Sequence, residues 1–232
     1  MTIPHGQHRE CFNLPARIYH LAEAANWPSI RRNGLLSTKR LLDRAGLRGK
    51  VRERIERRRR LEQLLLPNGI SVRDQKPLPE QALEQCLVGM APSEWYALIN
   101  SKVFFWLDIG RLNRQRRACE PRSQVVLEID RVRLVTHYSE RIALSRINTG
   151  NARRLPAKRG RSTFVPYRQW VESGWKSEME GLGLLRDRKS DPPVELTVAD
   201  AVPDIMEYVV GVHRLEPGDL FMPYLPSDSR RG

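Results

Sequence analysis

At 232 residues the chain is long enough to bury a sizeable core, and it fits one domain or at most two. Hydrophobic residues at 40% and charged residues at 29% exclude a disordered chain, and a formal charge of +13 with a pI near 10.3 makes it strongly basic. The excess is arginine, 33 Arg against 7 Lys; a planar guanidinium suits phosphate better than an ammonium does, so a phosphate-rich partner accounts for it as well as a GC-rich genome's preference for Arg codons.

Residues 1–16 read as an irregular lead-in with Pro4 and Pro15. They lack the apolar stretch of a signal peptide, and no segment reaches the roughly 20 apolar residues of a membrane span. Cys11, Cys86 and Cys119 are odd in number and read as reduced thiols. A soluble, cytoplasmic protein without membrane association is expected. "ARIYHLA" is a short strand ending near His20. Asn26-Trp27-Pro28 opens a helix, Asn26 as its cap and Pro28 in the first turn, and Asn33-Gly34 closes it. "STKRLLDRAG" repeats the pattern with Ser37 as cap. Residues 50–66 are expected as one charged helix, with Val51, Ile55, Leu61 and Leu65 inward and "ERRRR" outward, broken by Pro67-Asn68-Gly69. Residues 80–90 and 91–102 read as two further helices, the second started by Pro92 or capped by Ser93.

"KVFFWLD" (102–108) is a buried aromatic strand. "RLNRQRRACEPR" (111–122) is a basic connection or helix, and "SQVVLEIDRVRLV" (123–135) a strand leading into another element. Residues 145–175 combine an Asn/Gly turn, a basic loop and a short aromatic segment, and Pro192-Pro193 ends a linker. "VELTVADAV" and "DIMEYVVGVHRLE" carry the last strands, and the tail frays. With helices concentrated in the first half and strands in the second, the fold class is α+β. No GxGxxG or Walker loop is present. The five His and three Cys lack ligand spacing, so no metal is expected, and no GxSxG marks a nucleophilic serine.

Taken singly, the remaining candidates are ordinary. His20 reads as a half-buried histidine bonded to backbone, Phe104 to Trp106 as core, Glu195 as an edge-strand residue, and Asn148 to Asn151 as a turn. Taken in order, they resemble DarT-type ADP-ribosyltransferases. "IYHLAEAANWPSIRRNGLLS" is similar to that family's opening strand with its terminal His and following helix, and "VFFWLDIGRLNR" to its aromatic strand and Arg-bearing loop. "INTGNA" is similar to its Thr-Asp-Gly-Asn-Ala-like segment, and "VELTVADAVPDIMEYVVGV" to its final Glu-bearing strand, Val-Pro turn and apolar strand. "RDQKPL", "FFWLD" and "NTGNARR" look closer still to an uncharacterised bacterial relative of that family. Three departures stand out: Leu21-Ala22 after the His, no acidic residue in Asn148-Thr149-Gly150-Asn151, and a long insert between residues 40 and 100.

The resemblance implies an ADP-ribosyltransferase-like split β-sheet core in a single domain, residues 17–225, with a helical insert near 40–100 and a frayed tail at 226–232. It implies NAD as co-substrate, with nicotinamide released. Glu195 would be the catalytic carboxylate, and Arg111, with Arg114, would meet the pyrophosphate or steady the acceptor. His20 would hold a ribose in register, Phe105 and Trp106 would wall the nicotinamide pocket, and Tyr19 and Asn26 would sit at its rim. The acceptor would be a nucleic acid, DNA favoured over RNA. Arg114, Arg116, Arg117, Arg153, Arg154, Arg159 and Arg161 would line a groove for it, and Tyr167 or Trp170 would stack on a base. The toxicity of such an activity would call for a neutralising, antitoxin-like partner. Two alternatives stay open: an RNA 2′-phosphotransferase, which shares the NAD-using fold, and a catalytically inactive basic module that only binds nucleic acid.

Overall fold

The computed structural model describes residues 14–153, 156–185 and 191–223. Cys11, Arg154, most of the lead-in and the tail lie outside them. β1 (Arg17–Glu23) buries Ile18, Leu21 and Ala22, and a 3-10 turn (Ala24–Asn26) runs from it into α1 (Trp27–Asn33). Asn26 is itself in helical conformation, so its side chain does not make the expected cap, while Pro28 holds its place in the first turn. Gly34 ends α1 at φ 74°, and a Cβ there would lie 2.3 Å from the Val202 carbonyl oxygen. Only glycine satisfies both the left-handed backbone and that approach. β2 (Leu35–Leu36) follows, then α2 (Thr38–Arg44), where Ser37 Oγ accepts the Arg40 amide at 3.3 Å.

The single helix expected over 50–66 is corrected. α3 (Gly49–Arg57) stops early, and β3 (Leu64–Leu65) pairs with β4 (Ser71–Val72). Val51, Leu61 and Leu65 are exposed, so the stretch has no apolar stripe to support a longer helix. Arg60 does not face out with its neighbours either. Its buried guanidinium donates to the carbonyls of Ile55 (2.7 Å) and Arg73 (3.0 Å) and to Asn100 Oδ1 (3.1 Å). α4 (Glu80–Cys86) and α5 (Pro92–Asn100) come next, the latter started by Pro92 with Glu94 accepting the Ala91 amide at 2.8 Å.

The second half supplies β5 (Lys102–Trp106), α6 (Ile109–Arg117), β6 (Gln124–Asp130), α7 (Arg131–Tyr138), β7 (Ile142–Ser145), β8 (Val165–Pro166), α8 (Tyr167–Ser173), α9 (Lys176–Leu182), β9 (Glu195–Ala199), β10 (Ala201–Val202) and β11 (Val209–Leu215). Seven strands form one antiparallel sheet in the order β11-β6-β1-β5-β9-β7-β8. The class is α+β, although strands and helices do not divide by halves: β1, from the start of the chain, lies near the middle of the sheet.

One join in that sheet is incomplete. β1 pairs with β6 along its whole length, Arg17↔Asp130 to Glu23↔Gln124, but meets β5 through Tyr19↔Trp106 alone. The sheet therefore forks between β1 and β5, into halves β11-β6-β1 and β5-β9-β7-β8. β2 pairs with β10 in a separate two-stranded ribbon. On one face of the sheet the main core gathers Ile18, Phe105, Leu127, Leu196, Trp170 and Trp175. The other face carries two clusters, one around Trp95, Tyr96 and Phe164, the other around Tyr19, Leu112 and Phe221. Trp170 is thus core, not a base-stacking platform, and Tyr167 packs half-buried against the same cluster.

Candidate functional site

His20 sits at the fork. Its Nδ1 lies 2.8 Å from the carbonyl oxygen of Phe104, across the gap that the strands leave open. A carbonyl only accepts, so Nδ1 carries the proton and Nε2 of the neutral ring is a bare acceptor. Burial lowers the imidazole to about 4, the Phe104 bond opposing this and the charge of Arg73 adding to it. The ring is therefore neutral at physiological pH, and Nε2 has no partner among the described residues.

A cavity of about 90 Å³ lies beside it, lined by His20, Asn26, Ser29, Ile30, Leu41 and Ile70 among others. That is a fraction of the roughly 300–1,000 Å³ of a drug-sized ligand site. Asn26 borders the cavity but is not free to bind a cofactor as expected. Its Nδ2 donates to Ser71 O (2.8 Å) and its Oδ1 accepts the Ser71 amide (2.9 Å), so both ends of the amide are engaged in anchoring β4.

Glu195 opens β9 and is 4% exposed. It accepts the Thr149 hydroxyl at 2.7 Å and the Thr149 amide at 3.2 Å. Burial pushes its carboxyl up to about 7; the Thr149 bonds and the charges of Arg159 and Arg111 pull the other way. The turn that carries Thr149 is set by Asn148, whose Oδ1 accepts the Gly150 amide at 3.0 Å. Arg159 is buried against it, donating to Asn151 O (3.0 Å) and Thr149 O (3.4 Å). The expected groove-lining role of Arg159 is corrected accordingly: it holds the turn that holds Glu195.

Strand register decides which candidates share a face. Tyr19 pairs with Trp106, Trp106 with Glu195 and Glu195 with Ser145, which sets these four in one row. His20 falls on the other face with Phe105, their rings 5.8 Å apart. Phe105 and Trp106 are successive strand residues on opposite faces, so they do not wall one pocket. Phe105 is core, and Trp106 Nε1 donates to Gln115 Oε1 at 2.6 Å. Tyr19 is buried against Phe221, 5.2 Å between rings, away from the cavity rim where it was expected. His20 on β1 and Glu195 on β9 thus lie either side of β5 and face opposite sides of the sheet.

Of the arginines, Arg111 lies on α6, where its amide is bonded to the Asp108 cap at 2.8 Å and its charge bears on Glu195. Arg114, Arg117, Arg153 and Arg161 are exposed, the last 3.4 Å from Glu94. Arg116 is fully buried, 2.9 Å from Glu120 and donating to Glu216 O at 2.6 Å. It cannot touch nucleic acid, because the i,i+4 spacing from Leu112 turns it inward. Thr149 and Arg73 have no individual role in the sequence reading; the Asn-Thr-Gly-Asn turn was the signal for the first, and the "RDQKPL" stretch, which Arg73 opens, for the second. Among the described residues there is no His, Cys, Asp and Glu group suited to a metal, Cys86 and Cys119 are free and buried, and no helix is long and apolar enough to cross a membrane.

A solved structure of Thermosipho africanus DarTG in complex with ADP-ribose is similar to this chain at 13% identity and a TM-score of 0.39, over 84% of this chain and 43% of that one. The chain thus spans under half the length of that neighbour. No curated protein matches it. The family model that does match, from the residue before β1 to the first residue of β11, is a "Family of unknown function (DUF7002)" over residues 16–209, and the chain belongs to that family.

Proposed function

We propose that this chain is a NAD-dependent ADP-ribosyltransferase whose acceptor is a nucleic acid, a DNA base above all. The observation that carries the reading is Glu195: a buried carboxylate fixed by two donors from one residue, with two guanidinium groups in electrostatic reach. Such a group is costly to keep in a core for stability alone. NAD supplies a glycosidic carbon from which nicotinamide leaves as a neutral molecule. Positive charge grows at that carbon, and the ionised Glu195 stabilises it. The same carboxylate takes the proton that the acceptor nitrogen or oxygen gives up as its bond to the carbon forms.

His20 fits the substrate's other end. A neutral ring with a bare Nε2 accepts a hydrogen bond from a ribose hydroxyl and contributes position rather than proton transfer. Because His20 and Glu195 occupy opposite faces of the sheet, a dinucleotide reaches both only by lying through the fork between β1 and β5. The 90 Å³ beside His20, bounded by α1 and β2, holds part of such a molecule. An activity of this kind also needs restraint in its host, and a neutralising partner belongs to the same proposal.

The test is nicotinamide release from NAD by the purified chain, with and without single-stranded DNA or RNA, for wild type and Glu195→Gln. Release that needs one of the nucleic acids and is lost in the variant supports the reading. Nucleic-acid binding without release by either protein would leave a binding module.

A further inference from the structure

The outer face of α6 carries an unusual charge. At 100° per residue, Leu112 and Arg116 point inward and are fully buried. Arg111, Arg114 and Arg117 fall within an arc of about 120° on the opposite side, with Gly110 between them. The only acid at this helix is its cap, Asp108, whose carboxylate is bonded to the Arg111 amide. Glu120 is committed to Arg116. The side chains of Arg111, Arg114 and Arg117 make no ion pair or hydrogen bond among the described residues. The helix is also firmly seated: Asn113 donates to Phe221 O and accepts its amide, both at 2.9 Å, and Arg116 reaches Glu216 O. The helix is tied to the row that holds the reacting carboxylate: Gln115 of α6 accepts Trp106 Nε1 at 2.6 Å, and Trp106 pairs with Glu195 in the sheet.

We infer that this face of α6 is the docking surface for the sugar–phosphate backbone of a single-stranded nucleic acid, which it aligns so that a base reaches Glu195. Arg114 and Arg117, exposed and without a carboxylate partner among the described residues, and the half-buried Arg111, whose charge bears on Glu195, form a short track of phosphate ligands along about 9 Å of helix. The strand is single because Glu195 is buried: a base stacked and paired in a duplex cannot reach it. The inference rests on Glu195 being the reacting group, and it adds which element receives the acceptor and in what form.

The experiment is fluorescence anisotropy of a labelled single-stranded oligonucleotide, titrated across salt concentrations without NAD. Wild type is compared with Arg114→Gln/Arg117→Gln and with Arg57→Gln/Arg58→Gln, an equal charge loss on the exposed end of α3. The α6 variant should bind at least tenfold more weakly, with a log–log salt slope shallower by about 1.4, the loss of two phosphate contacts. The α3 variant should keep the wild-type slope, and a duplex of the same sequence should bind more weakly than the single strand. Equal losses in both variants, or none in the α6 variant, would overturn the docking surface. A duplex bound as tightly as the single strand would overturn the choice of strand. Because NAD is left out, a missing nicotinamide release would count against the transferase reading and leave this result standing.

Discussion

Glu195 takes its two inward hydrogen bonds from a single residue, Thr149, at 2.7 Å from the hydroxyl and 3.2 Å from the amide. Both donors favour the ionised carboxylate, against the burial that raises it to about 7. Thr149→Val keeps the volume and the amide but removes the hydroxyl. The loss of one bond to a charged group, about 1.5 kcal/mol, should move the carboxyl up by roughly one pH unit. The pH profile of nicotinamide release should shift upward by that amount, and an unchanged profile would remove Thr149 from the account.

Glu195 should also cost stability. Its folded value of about 7 lies above the ordinary 4.5, so between those two values the native state binds more protons than the unfolded chain. Stability contributed by the protonated form is present below 4.5 and lost as pH rises through 7. Glu195→Gln abolishes this dependence. Its unfolding free energy, measured by urea denaturation against wild type, should climb from about pH 5 to about pH 8, by up to about 3 kcal/mol. Glu178, raised to about 7 by burial beside Arg146, responds in the same direction in both proteins and cancels in the difference.

His20 gives the opposite sign. Lowered to about 4, it is neutral in the fold where an unfolded histidine would already be protonated, so its contribution to stability is lost as pH falls from 6.5 towards 4. Nitrogen-15 NMR should find the Nδ1–H tautomer, held by Phe104 O, and no titration between pH 5 and 8 on the order of its shift. His20→Ala should raise the NAD concentration needed for half-maximal release by about tenfold, one hydrogen bond's worth, with little change in the maximal rate. A fall in rate alone would instead make the ring an acid–base group.

Gly34→Ala tests the fold. The residue sits at φ 74°, and its new Cβ would strike the Val202 carbonyl oxygen at 2.3 Å and Pro203 Cα at 2.4 Å. Strain and backbone collision together should cost more than about 3 kcal/mol in urea denaturation. A near-neutral result would mean that α1 and the Val202-Pro203 turn do not pack as described.

The sequence was most legible where pattern and side-chain chemistry agree. Gly34 stops a helix, "KVFFWLD" and "VELTVAD" alternate into paired strands, and Glu195 and His20 both reach polar partners at strand positions. Arginine was the least legible residue. Arg60, Arg116 and Arg159 each read as surface charge, yet each is buried, because a guanidinium can spread its five donors over backbone carbonyls that nothing in the local sequence announces. Pairing register was equally hidden. That Phe105 and Trp106 look to opposite faces follows from strand geometry alone, but which face meets His20 depends on partners far along the chain. Asn26 shows the same limit: it precedes a helix start as expected but does not cap it, because a distant residue, Ser71, claims both ends of its amide.

The most direct measurement is mass spectrometry of single-stranded oligonucleotides after incubation with NAD and the purified chain. The account predicts a covalent adduct of one ADP-ribosyl group on a base, with free nicotinamide in equal amount, and neither product from Glu195→Gln. Intact NAD and unmodified DNA and RNA, from folded wild-type protein that binds the strands, would contradict it.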